Sequence, residues 1–159
     1  LADIVKVTSG SCTKSSMWID ELYKTIIKAG THRVKTIKIA EASKVIENVQ
    51  RDLNIAIVNE FALIFNKLSI DTNDVLDAAK TKWNFLDFKP GLVGGHCIGV
   101  DPYYLTYKAK QFGYYPDLIS SGRRLNNEMG FWIAEQIIVH IVGRSLNSSN
   151  AKILILTTS

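Results

Sequence analysis

The sequence contains little cysteine and no long apolar run. Its 159 residues include Cys12 and Cys97 as the only cysteines, far apart along the chain. Such a pair does not indicate the disulfide framework of a small secreted domain, so we expect a reducing, cytoplasmic setting. No stretch of about eighteen or more uncharged apolar residues occurs, which excludes an ordinary transmembrane helix, and we expect no membrane partner.

Clustered charge is also missing. The 19 Lys and Arg residues exceed the 15 Asp and Glu residues by four, and they are scattered. Because nucleic-acid binding needs a basic patch or stripe, we expect no nucleic-acid partner. The small positive excess suits an anionic small molecule, or equally a solvated surface. With 47% hydrophobic residues, the chain can form a sizeable core.

One glycine-rich segment, residues 90–104, carries a candidate reactive group. Cys97 lies in it, four residues before Asp101. The pair Asp101-Pro102 predicts a helix start, with Asp101 as N-cap and Pro102 at the first helical position. A thiol just ahead of a helix N-terminus is favoured as the thiolate. The alternative is an inert cysteine, which packs as a small hydrophobe.

Periodicity and turn residues predict a mainly helical chain with strands near both ends. The predicted strands or extended segments are 3–8, 34–39 and 151–157, and the predicted helices are 15–29, 40–68, 71–80, 101–113 and 122–142. Residues 82–99 are predicted to be loop, and 147–150 a polar linker. The helix over 40–68 is apolar on nearly every side, so we expect it to be buried or covered by a second copy of itself.

A polar stripe interrupts that long helix. Lys44, Asn48 and Arg51 fall on one face, and Asn59 continues that stripe fifteen residues after Lys44. Since an unpaired buried ammonium is costly, Lys44 must be ion-paired or face a wet cavity. One interpretation is the wall of a site, with Lys44 supplying charge and Asn48 donating a hydrogen bond to an oxyanion. The other is a solvated or ion-paired face; the nearby carboxylates are Glu41, Glu47 and Asp52.

Two motifs together resemble a known enzyme family. Residues 40–48, AEASKVIEN, and 94–101, GGHCIGVD, resemble the nucleotide-sugar 6-dehydrogenases, the superfamily of UDP-glucose 6-dehydrogenase and GDP-mannose dehydrogenase. Residues 50–56 and 94–104 look closest to its UDP-N-acetylhexosamine branch, which acts on mannosamine, galactosamine or glucosamine derivatives. UDP-glucose dehydrogenases usually have a lysine where this chain has Val100, which argues against UDP-glucose as the substrate.

The resemblance implies a three-part architecture, of which this chain holds the middle. Residues 1–38 resemble the tail of an N-terminal dinucleotide-binding domain, 39–146 a helical central domain for dimerisation that carries the catalytic cysteine, and 147–159 the first strand of a C-terminal nucleotide-sugar-binding domain. The expected fold class is therefore mainly α, built on one long helix and flanked by strand remnants of two truncated α/β domains. The motif Gly-x-Gly-x-x-Gly is absent, so the main NAD-binding loop is expected to be missing.

The family's chemistry implies roles for four residues. It is a four-electron oxidation of the sugar C6 alcohol to a carboxylate, consumes two NAD, and serves polysaccharide biosynthesis. By the match, Cys97 attacks the intermediate aldehyde to form a thiohemiacetal, which becomes a thioester that water hydrolyses. Lys44 is implied to stabilise the oxyanion, Asn48 to hold that oxygen or a water, and Asp101 to transfer a proton through water.

Further residues are expected around the substrate. Gly94, Gly95 and His96 are expected to shape the substrate loop, and Arg123 to meet an anion such as a diphosphate; the alternative for Arg123 is a solvated helix end. No metal site is expected, because the histidine next to Cys97 lacks the four ligands of a structural zinc. Cys12 is expected to be inert, having no activating neighbour beyond Lys14.

Two functions remain open at this stage. The first is a piece of an NAD-dependent UDP-N-acetylhexosamine 6-dehydrogenase, inactive alone because a catalytic site needs all its positioned groups. The alternative is a non-catalytic helical module that dimerises through residues 40–68. Both predict a homodimer, since a helix pair related by a two-fold axis makes a self-complementary interface.

Overall fold

Helices dominate the computed structural model, which describes residues 2–144 and 151–155. The helices are α1 (Thr13–Lys24), α2 (Ile37–Leu68), α3 (Thr72–Ala79), α4 (Asp101–Gln111) and α5 (Asp117–Gly143), and the strands are β1 (Lys6–Thr8) and β2 (Thr31–Arg33). The two strands pair in parallel, with Lys6 opposite Thr31 and Thr8 opposite Arg33. The predicted fold class, mainly α with strand remnants, is confirmed. Among the described residues, no helix is both long and apolar enough to cross a membrane.

The elements before the long helix are shorter than predicted. α1 ends at Lys24 rather than residue 29, and the Thr25 hydroxyl donates to the Leu22 carbonyl there at 2.7 Å. Gly30, predicted to follow the helix directly, lies in the turn into β2 with φ +85°. The extended segment predicted over 34–39 is wrong in position, because the strand spans Thr31–Arg33 and α2 already begins at Ile37. β-Branched residues favour strands only where a partner strand is present, and this sheet pairs only three residues.

The chain forms two compact units. The first comprises Leu1–Arg51 and His96–Tyr115, and so holds the sheet, α1, the beginning of α2, and α4. Inside it, the Thr8 hydroxyl donates to Asp20 at 2.6 Å, and Lys24 pairs with Asp20 at 2.9 Å. The Thr8 hydrogen bond, followed by that from Lys24, lowers the pKa of Asp20 to about 2. Gly10 lies against the start of α1, where a Cβ would meet the Ser16 backbone nitrogen at 2.4 Å.

The second unit comprises Asp52–Gly95 and Pro116–Ser159. Here α5 packs closely on α2: a Cβ added at Gly122 would lie only 2.5 Å from the Leu53 side chain. The predicted start of this helix at residue 122 is wrong: α5 begins at Asp117, after the N-cap Pro116. A glycine inside a helix usually weakens it, but at Gly122 it permits the close approach of two helices.

The predicted cap of α3 is confirmed, whereas the strand predicted near the end of the chain is not found among the described residues. Asp71 caps α3 as predicted, its carboxylate accepting from the Asn73 and Asp74 backbone at 2.7 and 3.2 Å. The strand predicted over 151–157 is not found in residues 151–155, which have no regular secondary structure and are exposed. A strand needs a neighbour for its backbone hydrogen bonds, and none pairs with these residues within the described part of the chain. Residues 147–150 and 156–159 lie outside the described residues.

Candidate functional site

The glycine-rich segment forms an irregular loop that ends in a turn before α4. Residues 82–99 contain no helix or strand, as predicted, and Gly95 has φ +92°, a left-handed conformation that favours glycine. Cys97 is exposed in the turn that follows, and His96 beside it is exposed too. Gly94 is likewise exposed. Cys97 is therefore accessible and does not pack as a buried small hydrophobe.

The backbone of Cys97 anchors the start of α4. Its carbonyl accepts from the backbone N–H of Val100 at 3.1 Å and of Asp101 at 2.9 Å. The prediction that Asp101 is the N-cap is wrong: α4 begins at Asp101 and Val100 precedes it, with Pro102 in the first turn. Because backbone groups complete this helix start, the carboxylate of Asp101 is available for another partner.

That partner is Asn48 of the long helix. The Asn48 side-chain amide donates to Asp101 Oδ2 at 2.6 Å, and Asn48 is 2% exposed. Since an amide that donates to a carboxylate makes a charge-assisted hydrogen bond, this contact holds the Asp101 carboxylate in one orientation. The structure thus brings together two of the four predicted catalytic residues within the first unit.

Lys44 is ion-paired and also faces an open groove, the two environments that the sequence allowed for its ammonium. Its ammonium pairs with Glu47 at 3.0 Å, and Arg51 reaches the same carboxylate at 3.4 Å. The Lys44 side chain is 59% exposed, and with Glu47 it lines an open groove of about 500 Å³ against residues 4–7. An exposed pair of this kind contributes only about 0–1 kcal/mol, so an incoming anionic group can replace Glu47 at little cost.

The side chain of Cys97 is not joined to the three other predicted catalytic residues. Within the described residues, the Cys97 side chain makes no hydrogen bond or ion pair with Lys44, Asn48 or Asp101. Cys97 and Asp101 are linked through the backbone alone. The geometry therefore supplies an accessible thiol and a fixed carboxylate, and leaves the space around the thiol open for a substrate.

Arg123 lies in a buried polar cluster of the second unit. It is 6% exposed and donates to Asp52 Oδ1 at 2.6 Å. Asn126 donates to the same oxygen at 2.8 Å. The alternative of a solvated helix end is wrong for Arg123, because its charge is matched by a buried carboxylate; Arg124 is the exposed member of the pair.

The same cluster includes Asn59, which the sequence placed in the polar stripe without indicating its partners. Asn59 is fully buried and pairs with the backbone of Gly91, accepting from its N–H at 2.8 Å and donating to its carbonyl at 3.0 Å. It also donates to Asn126 at 2.9 Å. A weak signal existed in the sequence, because Asn59 follows Asp52 by seven residues and so shares its helix face. Polar residues at such a spacing in an apolar helix need partners in the core.

The prediction that Cys12 lacks an activating neighbour is wrong. Cys12 is the N-cap of α1, its backbone N–H donates to the Ser15 hydroxyl at 3.0 Å, and its thiol lies 3.5 Å from that oxygen. Hydrogen bonding from Ser15, first by its side chain and then by its backbone, lowers the pKa of the Cys12 thiol. The sequence signal was the start of a helix next to a serine at the third position.

Comparison with known proteins identifies the family of this chain. Residues 38–128 match the model of the UDP-glucose/GDP-mannose dehydrogenase family, central domain. The chain belongs to this family. The matched residues include the cysteine turn and the polar stripe of Lys44, Asn48 and Arg51, so the family resemblance expected from the motifs is confirmed.

Two bacterial relatives of this chain are named as UDP-N-acetyl-D-glucosamine 6-dehydrogenases. It is 58% identical to UDP-N-acetyl-D-glucosamine 6-dehydrogenase of Salmonella typhi over 98% of its length. It is 55% identical to the protein of the same name from Pseudomonas aeruginosa, again over 98% of its length. The chain spans only 37% of each of these two relatives.

Solved structures of the family also resemble it. The UDP-D-ManNAc dehydrogenase of Pyrococcus horikoshii matches with a TM-score of 0.78 and 31% identity, over 87% of this chain and 32% of that protein. The UDP-N-acetyl-mannosamine dehydrogenase Cap5O of Staphylococcus aureus matches with a TM-score of 0.71 and 30% identity, over 89% of this chain and 34% of that protein.

Proposed function

We propose that this chain is the cysteine-bearing part of an NAD-dependent UDP-N-acetylhexosamine 6-dehydrogenase, which oxidises the sugar C6 alcohol to a uronic acid for polysaccharide biosynthesis. The observation that carries the proposal is the turn at Cys97. There an exposed thiol is joined through its own backbone to a helix whose first residue, Asp101, is held by Asn48. The names of the two bacterial relatives support an N-acetylhexosamine nucleotide as the substrate.

The described residues do not fit the dinucleotide itself. A dinucleotide loop needs several glycines where a strand meets a helix, so that the backbone can approach the pyrophosphate. The loop between β1 and α1 has one glycine, Gly10, and the space a Cβ would need there is filled by Ser16. NAD would accept one hydride in each oxidation, and the loop at Gly10 does not suit its pyrophosphate.

The proposed role of Cys97 is to trap the aldehyde formed by the first oxidation. Its sulfur bonds to the carbonyl carbon, the thiol proton leaves, and the carbonyl oxygen takes up a proton to give a thiohemiacetal. A hydride acceptor such as NAD would take one hydride from this adduct while one proton leaves, and a thioester on Cys97 would result. Water then adds to the thioester carbon, the C–S bond breaks, and the carboxylate is released with the thiol restored.

The neighbouring polar groups have matching roles. Asp101, held by Asn48 at 2.6 Å, is oriented to pass protons to and from a water beside the thioester. Asn48 fixes that carboxylate and can turn a donor toward the same water. Lys44, with a weakly held exposed partner, supplies positive charge for an oxyanion. Gly94, Gly95 and His96 are proposed to shape the substrate loop.

Arg123 has a different proposed role from the one expected from the sequence. Its side chain is 7% exposed and is paired with Asp52, whose side chain is 0% exposed. A guanidinium that balances a buried carboxylate is costly to withdraw, so we assign Arg123 to the stability of the second unit rather than to substrate binding.

We further propose that residues 39–146 form a central domain that dimerises through α2, between an N-terminal part over 1–38 and a C-terminal part over 147–159. In the second unit, α2 buries Ala62 and Asn59 on one face. Its other face exposes an apolar stripe at spacings of four, three and four: Ile57, Phe61, Ile64 and Leu68. Such a stripe on a helix that already buries its opposite face is suited to a second copy of the same helix.

The dimer proposal is tested by sedimentation of two matched variants. Ile64→Lys places a charge in the apolar stripe, whereas Asn66→Lys adds the same side chain on another face of the exposed end of α2. We expect the parent chain and Asn66→Lys to sediment as dimers at micromolar concentration and Ile64→Lys as a monomer. A monomeric parent chain would contradict the proposal.

The catalytic proposal is tested by the adduct that needs no NAD. With a UDP-N-acetylhexosamine 6-aldehyde present, we expect alkylation of Cys97 by iodoacetamide to slow at least tenfold, because the sulfur is held in the thiohemiacetal. Cys12 in the same sample is the control, and its rate should not change. Equal protection of both cysteines, or of neither, would refute the assignment of Cys97.

The non-catalytic alternative is distinguished by the same experiment. A module that only dimerises would sediment as a dimer and leave Cys97 unprotected by the aldehyde. We also expect the chain alone to produce no sustained NADH from NAD and UDP-N-acetylhexosamines, because the loop between β1 and α1 does not suit a dinucleotide and a catalytic site needs all its positioned groups. Sustained turnover would contradict this part of the proposal.

A further inference from the structure

A buried side chain of the long helix holds the glycine-rich segment at Gly91. Asn59 is 0% exposed, and its Oδ1 accepts from the Gly91 backbone N–H at 2.8 Å while its Nδ2 donates to the Gly91 carbonyl at 3.0 Å. One side-chain amide thus satisfies both backbone groups of a single loop residue. Asn59 and Gly91 lie in the second unit together with Gly94 and Gly95, which are proposed to shape the substrate loop.

The orientation of the Asn59 amide is fixed by the buried cluster behind it. Its Nδ2 also donates to Asn126 Oδ1 at 2.9 Å, and Asn126 in turn donates to Asp52 Oδ1 at 2.8 Å. Both hydrogens of the Asn59 amide therefore have an acceptor, and a flipped amide would place its oxygen against two other oxygens. Because an unmet hydrogen bond is costly in the core, the cluster selects the orientation that fits Gly91.

A second contact on this loop is weaker. Lys80, at the end of α3, pairs with Asp87 at 3.2 Å and with Asp77 at 3.1 Å. The side chains of Lys80 and Asp87 are 28% and 58% exposed, so water and salt weaken their attraction. Asn59 is therefore the stronger of these two anchors of the loop.

Gly91 is the last residue of the loop that hydrogen bonds fix before the cysteine turn. Within the described residues, 92–96 make no hydrogen bond, and the next one along the chain is made by the Cys97 carbonyl. Gly94 follows Gly91 by three residues, which span at most about 11 Å. The position of Gly91 therefore limits where the substrate loop can lie.

We propose that Asn59 is a positioning residue for nucleotide-sugar binding, which acts through the backbone of Gly91 to place the substrate loop. The inference rests on the proposed function, because it needs this loop to meet the substrate. A loop that is already held in place loses less freedom when it binds, so affinity for the substrate should depend on Asn59. The reactivity of the exposed Cys97 thiol should not, because Asn59 makes no contact with it.

The first test measures the clamp itself and needs no substrate. In the parent chain, hydrogen exchange of backbone amides followed by nuclear magnetic resonance should be at least tenfold slower for Gly91 than for Gly94. Gly94 is the matched control, being an exposed glycine of the same loop without a hydrogen bond. Equal exchange rates would show that Asn59 does not hold Gly91, and would overturn the proposal whatever the function of the chain.

The second test measures substrate affinity in Asn59→Ala. The readout is the concentration of a UDP-N-acetylhexosamine 6-aldehyde that halves the rate of Cys97 alkylation by iodoacetamide. We expect this concentration to rise about tenfold, while the alkylation rate without aldehyde stays within about twofold of the parent. Asn66→Ala, which removes an exposed asparagine of the same helix, should change neither value. An unchanged half-protecting concentration in Asn59→Ala would overturn the proposal.

Asn126→Ala separates positioning from stability. It removes buried hydrogen bonds to Asp52 but no contact with Gly91, so it should lower the urea midpoint as Asn59→Ala does. Its half-protecting concentration should rise less than threefold, and a rise equal to that of Asn59→Ala would reduce Asn59 to a structural role and refute the proposal. Absence of protection in the parent would contradict the proposed function, and this inference with it. Protection that is equal in the parent and Asn59→Ala would contradict this inference while the proposed function stands.

Discussion

Removing the guanidinium of Arg123 should be among the most damaging substitutions in the second unit. Asp52 is 0% exposed, and Arg123 donates to its Oδ1 at 2.6 Å. Arg123→Ala leaves this carboxylate buried without its cation. Breaking a buried pair from one side typically costs about 3–5 kcal/mol. The hydrogen bond from Asn126 to the same oxygen, at 2.8 Å, remains. We therefore expect the free energy of unfolding to fall by about 3 kcal/mol, the lower end of that range.

The assay is urea unfolding followed by far-ultraviolet circular dichroism, with the free energy of unfolding taken from the midpoint and slope. Arg124→Ala is the matched control, because Arg124 is the exposed neighbour, and we expect a change within about 0.5 kcal/mol for it. In a thermal scan, Arg123→Ala should lower Tm by roughly 6 °C or more, since each kcal/mol shifts a domain of this size by about 2–4 °C.

A double substitution tests whether buried charge is the cause. Asp52→Leu combined with Arg123→Met removes both charges and keeps apolar volume, so it should recover most of the loss. The reasoning is refuted if Arg123→Ala costs less than about 1 kcal/mol, or if the double variant is as unstable as the single one. The first outcome would mean that water reaches the carboxylate, and the second that packing rather than charge dominates.

Three other predictions follow from the first unit and from α5. Because the pKa of Asp20 is lowered to about 2, its charge stabilises the fold above about pH 4, and this contribution is lost as pH falls toward 2. Asp20→Asn should therefore lower the urea midpoint at pH 7, by an amount that shrinks below about pH 4. Gly10→Ala forces a Cβ against the Ser16 backbone at 2.4 Å and should lower the free energy of unfolding by about 1–3 kcal/mol. Gly130→Ala, with open space around it in a helix, should raise it by up to about 1 kcal/mol. Equal urea midpoints for the two variants would contradict the packing argument. Ser15→Ala removes the main cause of the lowered pKa of the Cys12 thiol, so the pH midpoint for alkylation of Cys12 should rise, and an unchanged midpoint would show that Ser15 is not the cause.

The elements that sequence analysis predicted well are those decided by local rules. The long helix contains no glycine or proline over 40–68, and the structure extends it by only three residues, to Ile37–Leu68. Asp71 caps α3 because a carboxylate at that position can reach the backbone of its own helix. Residues near in sequence decide both features, so no knowledge of the fold was needed.

The errors arose where tertiary contacts override local preference. Gly122 suggested a helix start, yet it lies inside α5 where Leu53 approaches it. Asp101 suggested a helix cap, yet backbone groups cap α4 and the carboxylate pairs with Asn48 instead. In each case the same side chain suits a local and a distant role, and only packing selects between them.

The sequence by itself determined the family, the long helix and the candidate cysteine, because short motifs and helical periodicity record these features directly. Tertiary structure alone decided which charged and polar groups pair with each other inside the protein. Asn48 and Asp101 are 53 residues apart, and Asp52 and Arg123 are 71 apart; spacing along a helix shows that such groups share a face, but not which partner reaches that face. The structure pairs Arg123 with Asp52 in the core of the second unit and Asp101 with Asn48 in the first, because a buried charge must be satisfied by whatever group the fold brings beside it.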